Sequence, residues 1–289
     1  MKSYIREVYG GPEVLQLKEL PTPSPKANEV LVKVRSASIN PADWRILRAN
    51  PFLVRLTMGL FKPKLKHLGS DVSGIIEAVG TDVSIWQVGD EVVSDIMKYG
   101  MGAYGEYVVV PEDVLVKKPK NVTFDEAAAS PIAGLTALQV IRDHGKLKSG
   151  QKVLINGASG GVGTYCVQIA KHFGAHVTAI CSNKNKELVL SLGADKVIPY
   201  DLEDYRQCNE RFDLILDNVG NCSLKVAKSL LKPEGISLLN GWGGFGHMFK
   251  FMALGSFATK TSQMTFKGFS AKMDIKDLEF LMNLNMVAV

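Results

Sequence analysis

Gly157-Ala158-Ser159-Gly160-Gly161-Val162-Gly163 lies between a strand-like and a helix-like segment, and its reading decides the fold. Before it, Lys152-Val153-Leu154-Ile155-Asn156 is a short apolar run with β-branched residues, as expected of a parallel strand covered on both faces. After it, Val162, Cys166, Val167, Ala170 and Phe173 fall at helical spacing, and Gly174 is a C-terminal stop. A second strand, His176 to Ile180, completes a unit of about thirty residues, the size of βαβ. Glycines suit such a turn because one must turn tightly, one must admit backbone N–H groups to a pyrophosphate, and one must let helix and strand pack closely. The N-terminus of the following helix adds the positive end of a dipole. Glycines alone mark only a turn; strand, turn, helix and second strand in this order read as a dinucleotide site.

The chain around this unit has 289 residues, long enough for two domains, and its 46% hydrophobic content can fill a sizeable core. The N-terminus carries charge within its first residues and has no apolar leader, so no secretory signal is expected. No stretch approaches a membrane span of about 20 apolar residues, so no stable membrane insertion is expected. Cys166, Cys181, Cys208 and Cys222 are widely spaced and read as free thiols in a reducing compartment, which points to the cytoplasm. The net charge of +5 arises from 34 basic and 29 acidic residues without a basic stripe, so nucleic acid is not indicated, although an anionic ligand suits the balance.

From Met1 to about Lys120 the pattern is strand-rich. Tyr4 to Val8, Val14 to Glu19, Glu29 to Ala37, Gly74 to Val79, Glu91 to Ile96 and Tyr104 to Val110 are short, partly alternating segments between turn clusters, which predicts a compact β-barrel-like domain. At Asn121 the texture changes. Thr123 and Glu126 have capping-box spacing before an alanine-rich helix, and Pro131 opens a second helix running to Gly145. Helical patterns at Lys186 to Leu192 and Cys222 to Leu231 then separate strand candidates at Lys196 to Ile198, Phe212 to Leu216, Gly235 to Leu239 and Met264 to Ser270. With the first two this makes six strands, enough for a doubly wound sheet. Asp274 to Asn285 reads as an amphipathic helix, followed by Met286-Val287-Ala288-Val289.

Ser38-Ile39-Asn40-Pro41-Ala42-Asp43-Trp44, Gly69-Ser70-Asp71-Val72-Ser73-Gly74, Pro131-Ile132-Ala133-Gly134-Leu135-Thr136-Ala137, the glycine turn, Ser191-Leu192-Gly193-Ala194-Asp195 and Asp277-Leu278-Glu279-Phe280 together carry a family resemblance. The chain resembles the zinc-independent medium-chain dehydrogenase/reductases of the quinone oxidoreductase group, and within it the chloroplast-envelope quinone oxidoreductase and alkenal reductase branch. The resemblance implies an α/β protein with a GroES-like β-barrel domain at 1–123, a Rossmann domain with a doubly wound, six-stranded parallel sheet at 124–271, and a homodimer. Residues 272–289 would return to the front domain, and family members continue for several tens of residues beyond this point. On that expectation the return is cut short here.

In the zinc alcohol dehydrogenases of this architecture a Cys stands where this chain has Asn40, and a His-Glu pair where it has Ser70-Asp71. Neither Asn nor Ser is a usual zinc ligand, the multi-cysteine lobe is missing, and His67 has no partner at ligand spacing, so no metal is expected. Without a Lewis acid to stabilise an alkoxide, conjugated acceptors are favoured over simple alcohols, because conjugation spreads the arriving charge onto an oxygen that hydrogen bonds can serve.

Asn40 can donate its amide hydrogens to a carbonyl oxygen or to the nicotinamide ribose, and Asp43 lies in the same loop; the resemblance puts both at the hydride-transfer site. The alternative is that Asn40-Pro41 is a turn and Asp43 a helix cap. By resemblance Thr136 faces the cofactor; otherwise it bonds within its own helix turn. NADPH rather than NADH follows from Ser182-Asn183-Lys184 at the end of the second strand. An acid there would repel a 2′-phosphate, whereas Ser182 and Lys184 suit one. Tyr200 matches a family tyrosine near that phosphate, and Asn218-Val219-Gly220 and Leu239-Asn240-Gly241, past the fourth and fifth strands, should edge the nicotinamide end. Two apolar stretches, Phe52 to Phe61 and Trp242 to Ala258 with Phe245, Met248, Phe249, Phe251 and Met252, are candidates to wall a hydrophobic pocket or to be core or dimer contacts. The first is interleaved with Arg55, Lys62, Lys64 and Lys66, a pattern compatible with weak membrane-surface contact.

The expected function is NADPH-dependent hydride transfer to a small hydrophobic quinone or conjugated carbonyl. Two alternatives stay open: a protein that binds the cofactor without turnover, and a zinc alcohol dehydrogenase with displaced ligands.

Overall fold

The structure is a computed structural model that describes residues 1–241 and 244–284, the side chain of Phe245 excepted; Trp242 and Met286 to Val289 lie outside the described residues. The described residues form two compact units, one of Met1–Ile132 with residues 273–284, the other Ala133–Lys272.

The first unit is antiparallel. Strands β1 (Lys2–Ile5) and β2 (Gln16–Glu19) pair with each other, while β3 (Glu29–Ala37), β4 (Asp71–Val79), β5 (Glu91–Asp95), β6 (Tyr107–Pro111) and β7 (Val116–Lys117) form a sheet ordered β6-β3-β4-β5-β7. Isolated bridges, Ser3 to Gly105 and Ile5 to His67, tie the first hairpin to the rest. Inward residues of alternate strands, Val30, Val32, Val72, Ile76, Val92 and Val110, build one apolar cluster. The strand expected at Tyr4 to Val8 stops at Ile5 because the next residue turns inward. Arg6 is fully buried and donates to the carbonyls of Ile46 and Leu65, holding loops rather than extending a ladder.

Helix α1 (Pro41–Arg48) begins at the N-cap Asn40 with Pro41 in its first turn, where the missing N–H costs nothing. Helix α2 is Val54–Met58. Around it Phe52, Leu53, Leu56, Leu60 and Phe61 are exposed, so this stretch is not core. Helix α3 (Phe124–Ala129) starts with the expected capping box: Glu126 N–H donates to Thr123 Oγ1 (3.2 Å) and Thr123 N–H to Glu126 Oε2 (2.8 Å). Ser73 Oγ donates to Phe124 O (2.6 Å), which binds α3 to β4.

Helix α4 (Pro131–Gln139) runs into a π-turn at Val140–His144 that ends at Gly145. The second unit is built on β8 (Lys152–Asn156), β9 (His176–Cys181), β10 (Lys196–Pro199), β11 (Phe212–Asp217), β12 (Leu231–Leu239) and β13 (Thr265–Gly268), with helices α5 (Gly161–His172), α6 (Lys186–Ser191), α7 (Leu224–Leu230) and α8 (Phe245–Thr261). Its six strands are all parallel in the order β10-β9-β8-β11-β12-β13, the doubly wound sheet expected. Buried Val153, Leu154 and Ile155 make β8 its apolar centre. The helix expected to reach Leu231 ends one residue earlier, since Leu231 already pairs with Phe212 and opens β12. On α8 the apolar stretch divides: Phe251 and Ala258 enter the core against Phe266, while Phe249, Met252 and Phe257 are exposed. Helix α9 (Ile275–Asn283) belongs to the first unit, where Ile275 packs on the β-cluster.

All four cysteines are free, with Cys166, Cys181 and Cys222 buried and Cys208 half-buried. Burial pushes the thiols of Cys166 and Cys222 up to about 12 and raises that of Cys181.

Candidate functional site

Chain order reverses between β8 and β11, so the carboxyl ends of these strands mark the crevice where ligands of such sheets lie. The glycine turn sits there. Gly157 follows β8 with φ +77°, a conformation that side chains resist, and a Cβ on it would meet Val219 Cγ2 at 2.8 Å. The N–H groups of Gly157 and Ala158 donate to Ile180 O (3.1 and 3.0 Å), lashing the turn to β9. Gly163 supplies the close approach, for a Cβ there would stand 2.1 Å from Gly157 O. Gly161 has open space around it, and Gly160 meets only Gly157 O at 3.5 Å. Ala158 and Gly163 are buried, while Ser159, Gly160, Gly161 and Val162 are accessible. Helix geometry leaves the first N–H groups of α5 without intrahelical acceptors. Gly160 N–H is taken by Gly157 O (3.1 Å), so the accessible donors are the N–H groups of Gly161 and Val162 at the start of α5, and they fit a pyrophosphate.

At the carboxyl end of β9, Ser182 is buried and Lys184 is exposed, with no ion pair to it among the described residues. Tyr200 N–H donates to Cys181 O (3.0 Å), which brings the exposed Tyr200 to the same corner. Asn185 Nδ2 donates to Ser159 Oγ (3.0 Å) and connects this corner to the glycine turn. The sequence reading passed over Asn185.

It also missed Asp217, at the end of β11. This buried carboxylate accepts from the N–H groups of Val219 (3.2 Å), Gly220 (2.9 Å) and Cys222 (2.8 Å) and from Asn156 Nδ2 (2.8 Å). It thereby shapes the Asn218-Val219-Gly220 loop and sets Val219 against Gly157. Asn240 Nδ2 donates to Asn218 Oδ1 (2.9 Å), joining the ends of β11 and β12. Leu239 lies in this region by its backbone only, since its side chain is core. Thr136 is buried on α4, and no hydrogen bond joins it to the glycine turn among the described residues.

In the first unit Asn40 and Asp43 enter a buried acid cluster. Asn40 N–H donates to Asp43 Oδ2 (2.8 Å), the capping role, and Ser70 Oγ donates to Asp43 Oδ1 (2.7 Å). Asn40 Nδ2 donates to Ser38 Oγ and Asp71 Oδ2, both at 2.9 Å, so both amide hydrogens already have acceptors. Ser38 Oγ also donates to Asp71 Oδ2 (2.9 Å), and Ile132 N–H approaches that carboxyl at 3.3 Å. No cation pairs with these acids among the described residues. Burial raises Asp43 despite its hydrogen bonds, and burial with the nearby Asp95 charge holds Asp71 well above the ordinary carboxylate range. Asp95 is raised by burial as well, with the Asp43 charge adding to it. No group of three or more His, Cys, Asp or Glu side chains is placed to hold a metal ion among the described residues.

A glycine turn at the switch point of a doubly wound sheet, in a chain whose first unit is an antiparallel β-domain, defines a two-domain dinucleotide-fold protein. Residues 26–120 match the alcohol dehydrogenase GroES-like domain, and residues 161–281 match the zinc-binding dehydrogenase domain. The chain is 39% identical over 233 residues to the chloroplast envelope quinone oxidoreductase homolog of Arabidopsis thaliana, covering 78% of this chain and 68% of that protein. It is also 39% identical over 250 residues to the mitochondrial NAD(P)H oxidoreductase RTN4IP1 of Mus musculus, covering 80% and 63%. Among solved structures, the quinone oxidoreductase of Coxiella burnetii superposes with a TM-score of 0.84 at 29% identity, over 98% of this chain and 87% of that one. The chain belongs to the quinone oxidoreductase group of the medium-chain dehydrogenase/reductase family. It spans 63% to 68% of the length of these two curated relatives.

One expectation is overturned. The relatives carry chloroplast-envelope and mitochondrial names, which point to an organelle rather than to the cytoplasm. Free cysteines fit a reducing setting, and they do not distinguish the cytoplasm from a reducing organelle interior. No helix among the described residues is long and apolar enough to cross a membrane.

Proposed function

We propose that this chain is an NADPH-dependent oxidoreductase that delivers hydride to a quinone or to the β-carbon of an α,β-unsaturated carbonyl, without zinc. The observation that carries this reading is the pair of accessible backbone donors at Gly161 and Val162, at the start of α5 beside the glycine turn, bordered by Ser182, Lys184 and Tyr200. In it, Gly157 to Gly163 hold the pyrophosphate, while Ser182, Lys184 and Tyr200 hold the adenosine phosphate. Asn218, Val219, Gly220, Leu239 and Thr136 flank the nicotinamide end, and Asn40 and Asp43 serve the reacting end. A nicotinamide held there would supply a hydride, and with one proton from water that hydride would take a quinone to a hydroquinone or a conjugated carbonyl to its saturated form. The engaged hydrogens of Asn40 assign it an orienting role over donation to an oxyanion. Asn40 and Ser70, which are not usual zinc ligands, suit chemistry on conjugated acceptors, whose charge is already delocalised. The chain is proposed to act as a homodimer on small hydrophobic acceptors.

Consumption of NADPH with a panel of quinones, enones and simple aldehydes tests this reading. Turnover of quinones or enones is expected. Activity confined to the aldehydes, or stoichiometric zinc by elemental analysis, overturns it.

A further inference from the structure

The corner where the adenosine phosphate is expected contains an acid. Asp201 Oδ1 accepts from Asn183 N–H at 2.8 Å, between Ser182 and Lys184. The placement is built in. Tyr200 N–H is tied to Cys181 O, and the N–H groups of Leu202 and Glu203 donate to Pro199 O (2.9 and 2.8 Å), folding the chain so that residue 201 lies along the end of β9. Asp201 is exposed and makes no ion pair with Lys184. Asp201 also lines a cleft of about 530 Å³ together with Tyr200, Asn221 and Ser223.

We propose that Asp201 sets the choice between the two nicotinamide cofactors, its carboxylate opposing a 2′-phosphate at the Ser182 and Lys184 corner and tolerating a 2′-hydroxyl. The inference rests on the proposed reading of that corner. A bound phosphate carries nearly two negative charges, so a carboxylate on the adjacent amide repels it and competes for that donor. A ribose hydroxyl, by contrast, can donate to a carboxylate. Lys184 and Asp201 therefore act in opposition, and the chain discriminates between NADPH and NADH less sharply than Lys184 alone would make it.

Calorimetric titration of the full chain with NADP⁺ and with NAD⁺ tests this in Asp201→Asn and Asp201→Ala. Asn keeps an oxygen for Asn183 N–H and Ala removes it, so a shift common to both reports charge rather than loop geometry. NADP⁺ affinity is expected to rise about tenfold in both variants with no rise for NAD⁺. Equal changes for the two dinucleotides, or none, overturn the role of Asp201 and leave the proposed function standing. If the unmodified chain binds neither dinucleotide, the function and this inference fall together.

Discussion

Gly163 packs so closely on Gly157 that a Cβ on the former would stand 2.1 Å from the carbonyl oxygen of the latter. The neighbour is backbone within a turn that is itself bonded to β9, so it cannot yield. Gly163→Ala is expected to cost roughly 1–3 kcal/mol and to abolish dinucleotide binding. Gly161→Ala meets no atom within 4 Å, and is expected to keep the melting temperature while weakening the ligand. Thermal unfolding and dinucleotide titration of the two variants check this. Equal melting temperatures would remove the packing role of Gly163.

Lys184 is an exposed cation without an ion-pair partner among the described residues. Lys184→Ala is expected to weaken NADPH about tenfold and NADH hardly at all, as loss of one charge-assisted contact to a phosphate would. Parallel titrations decide; equal weakening of both would place the phosphate elsewhere.

Asp217 holds three backbone N–H groups and one side-chain amide. Asp217→Ala leaves the buried N–H groups of Gly220 and Cys222 unpaired, each costing about 1–3 kcal/mol, while Val219 is exposed and Asn156 Nδ2 keeps its bond to Asn221. A loss of about 2–6 kcal/mol in denaturant unfolding is expected, along with weaker dinucleotide binding as the loop loses its shape. Asp217→Asn, which keeps one acceptor oxygen, should lose less.

The acid cluster predicts a pH dependence. Asp43, Asp71 and Asp95 have folded pKa values raised above the ordinary range, chiefly by burial. Between the unfolded value of about 3.9 and the raised folded value, the folded chain binds more protons than the unfolded one. Stability contributed by these groups is therefore present at low pH and lost as pH rises through that window. Asp71→Asn has no proton to lose there, and is expected to flatten the slope and raise stability at neutral pH. Unfolding free energies measured across the acid range check this, and a slope as steep as in the unmodified chain would sink it.

The glycine turn, the six strands and the capping box at Thr123 were legible because each is written in contiguous residues with a fixed local geometry. Asp217 and Asp201 were not. Asp201 acts on an amide 18 residues away that the fold brings to it, and Asp217 combines the amides of the next few residues with Asn156, 61 residues away, while a lone Asp after a strand carries no spacing to read. The engagement of both Asn40 hydrogens was hidden for the same reason: Asp71 lies 31 residues away in the chain. The division of α8 into buried and exposed residues depends on which face meets Phe266, and a nearly uniform apolar run does not announce its face.

The thiols bear on survival as well as on packing. Conjugated carbonyls alkylate thiolates, so a catalyst that turns them over is exposed to attack by its own substrates. The thiols of Cys166, Cys181 and Cys222 are enclosed and kept protonated by their surroundings, which makes them poor nucleophiles. Cys208 is the half-buried exception. Mass spectrometry after incubation with an excess of enone is expected to find a single adduct, on Cys208, with the other three intact until the chain unfolds. The core that keeps these sulfurs from water would then also protect the protein against the compounds it is proposed to reduce.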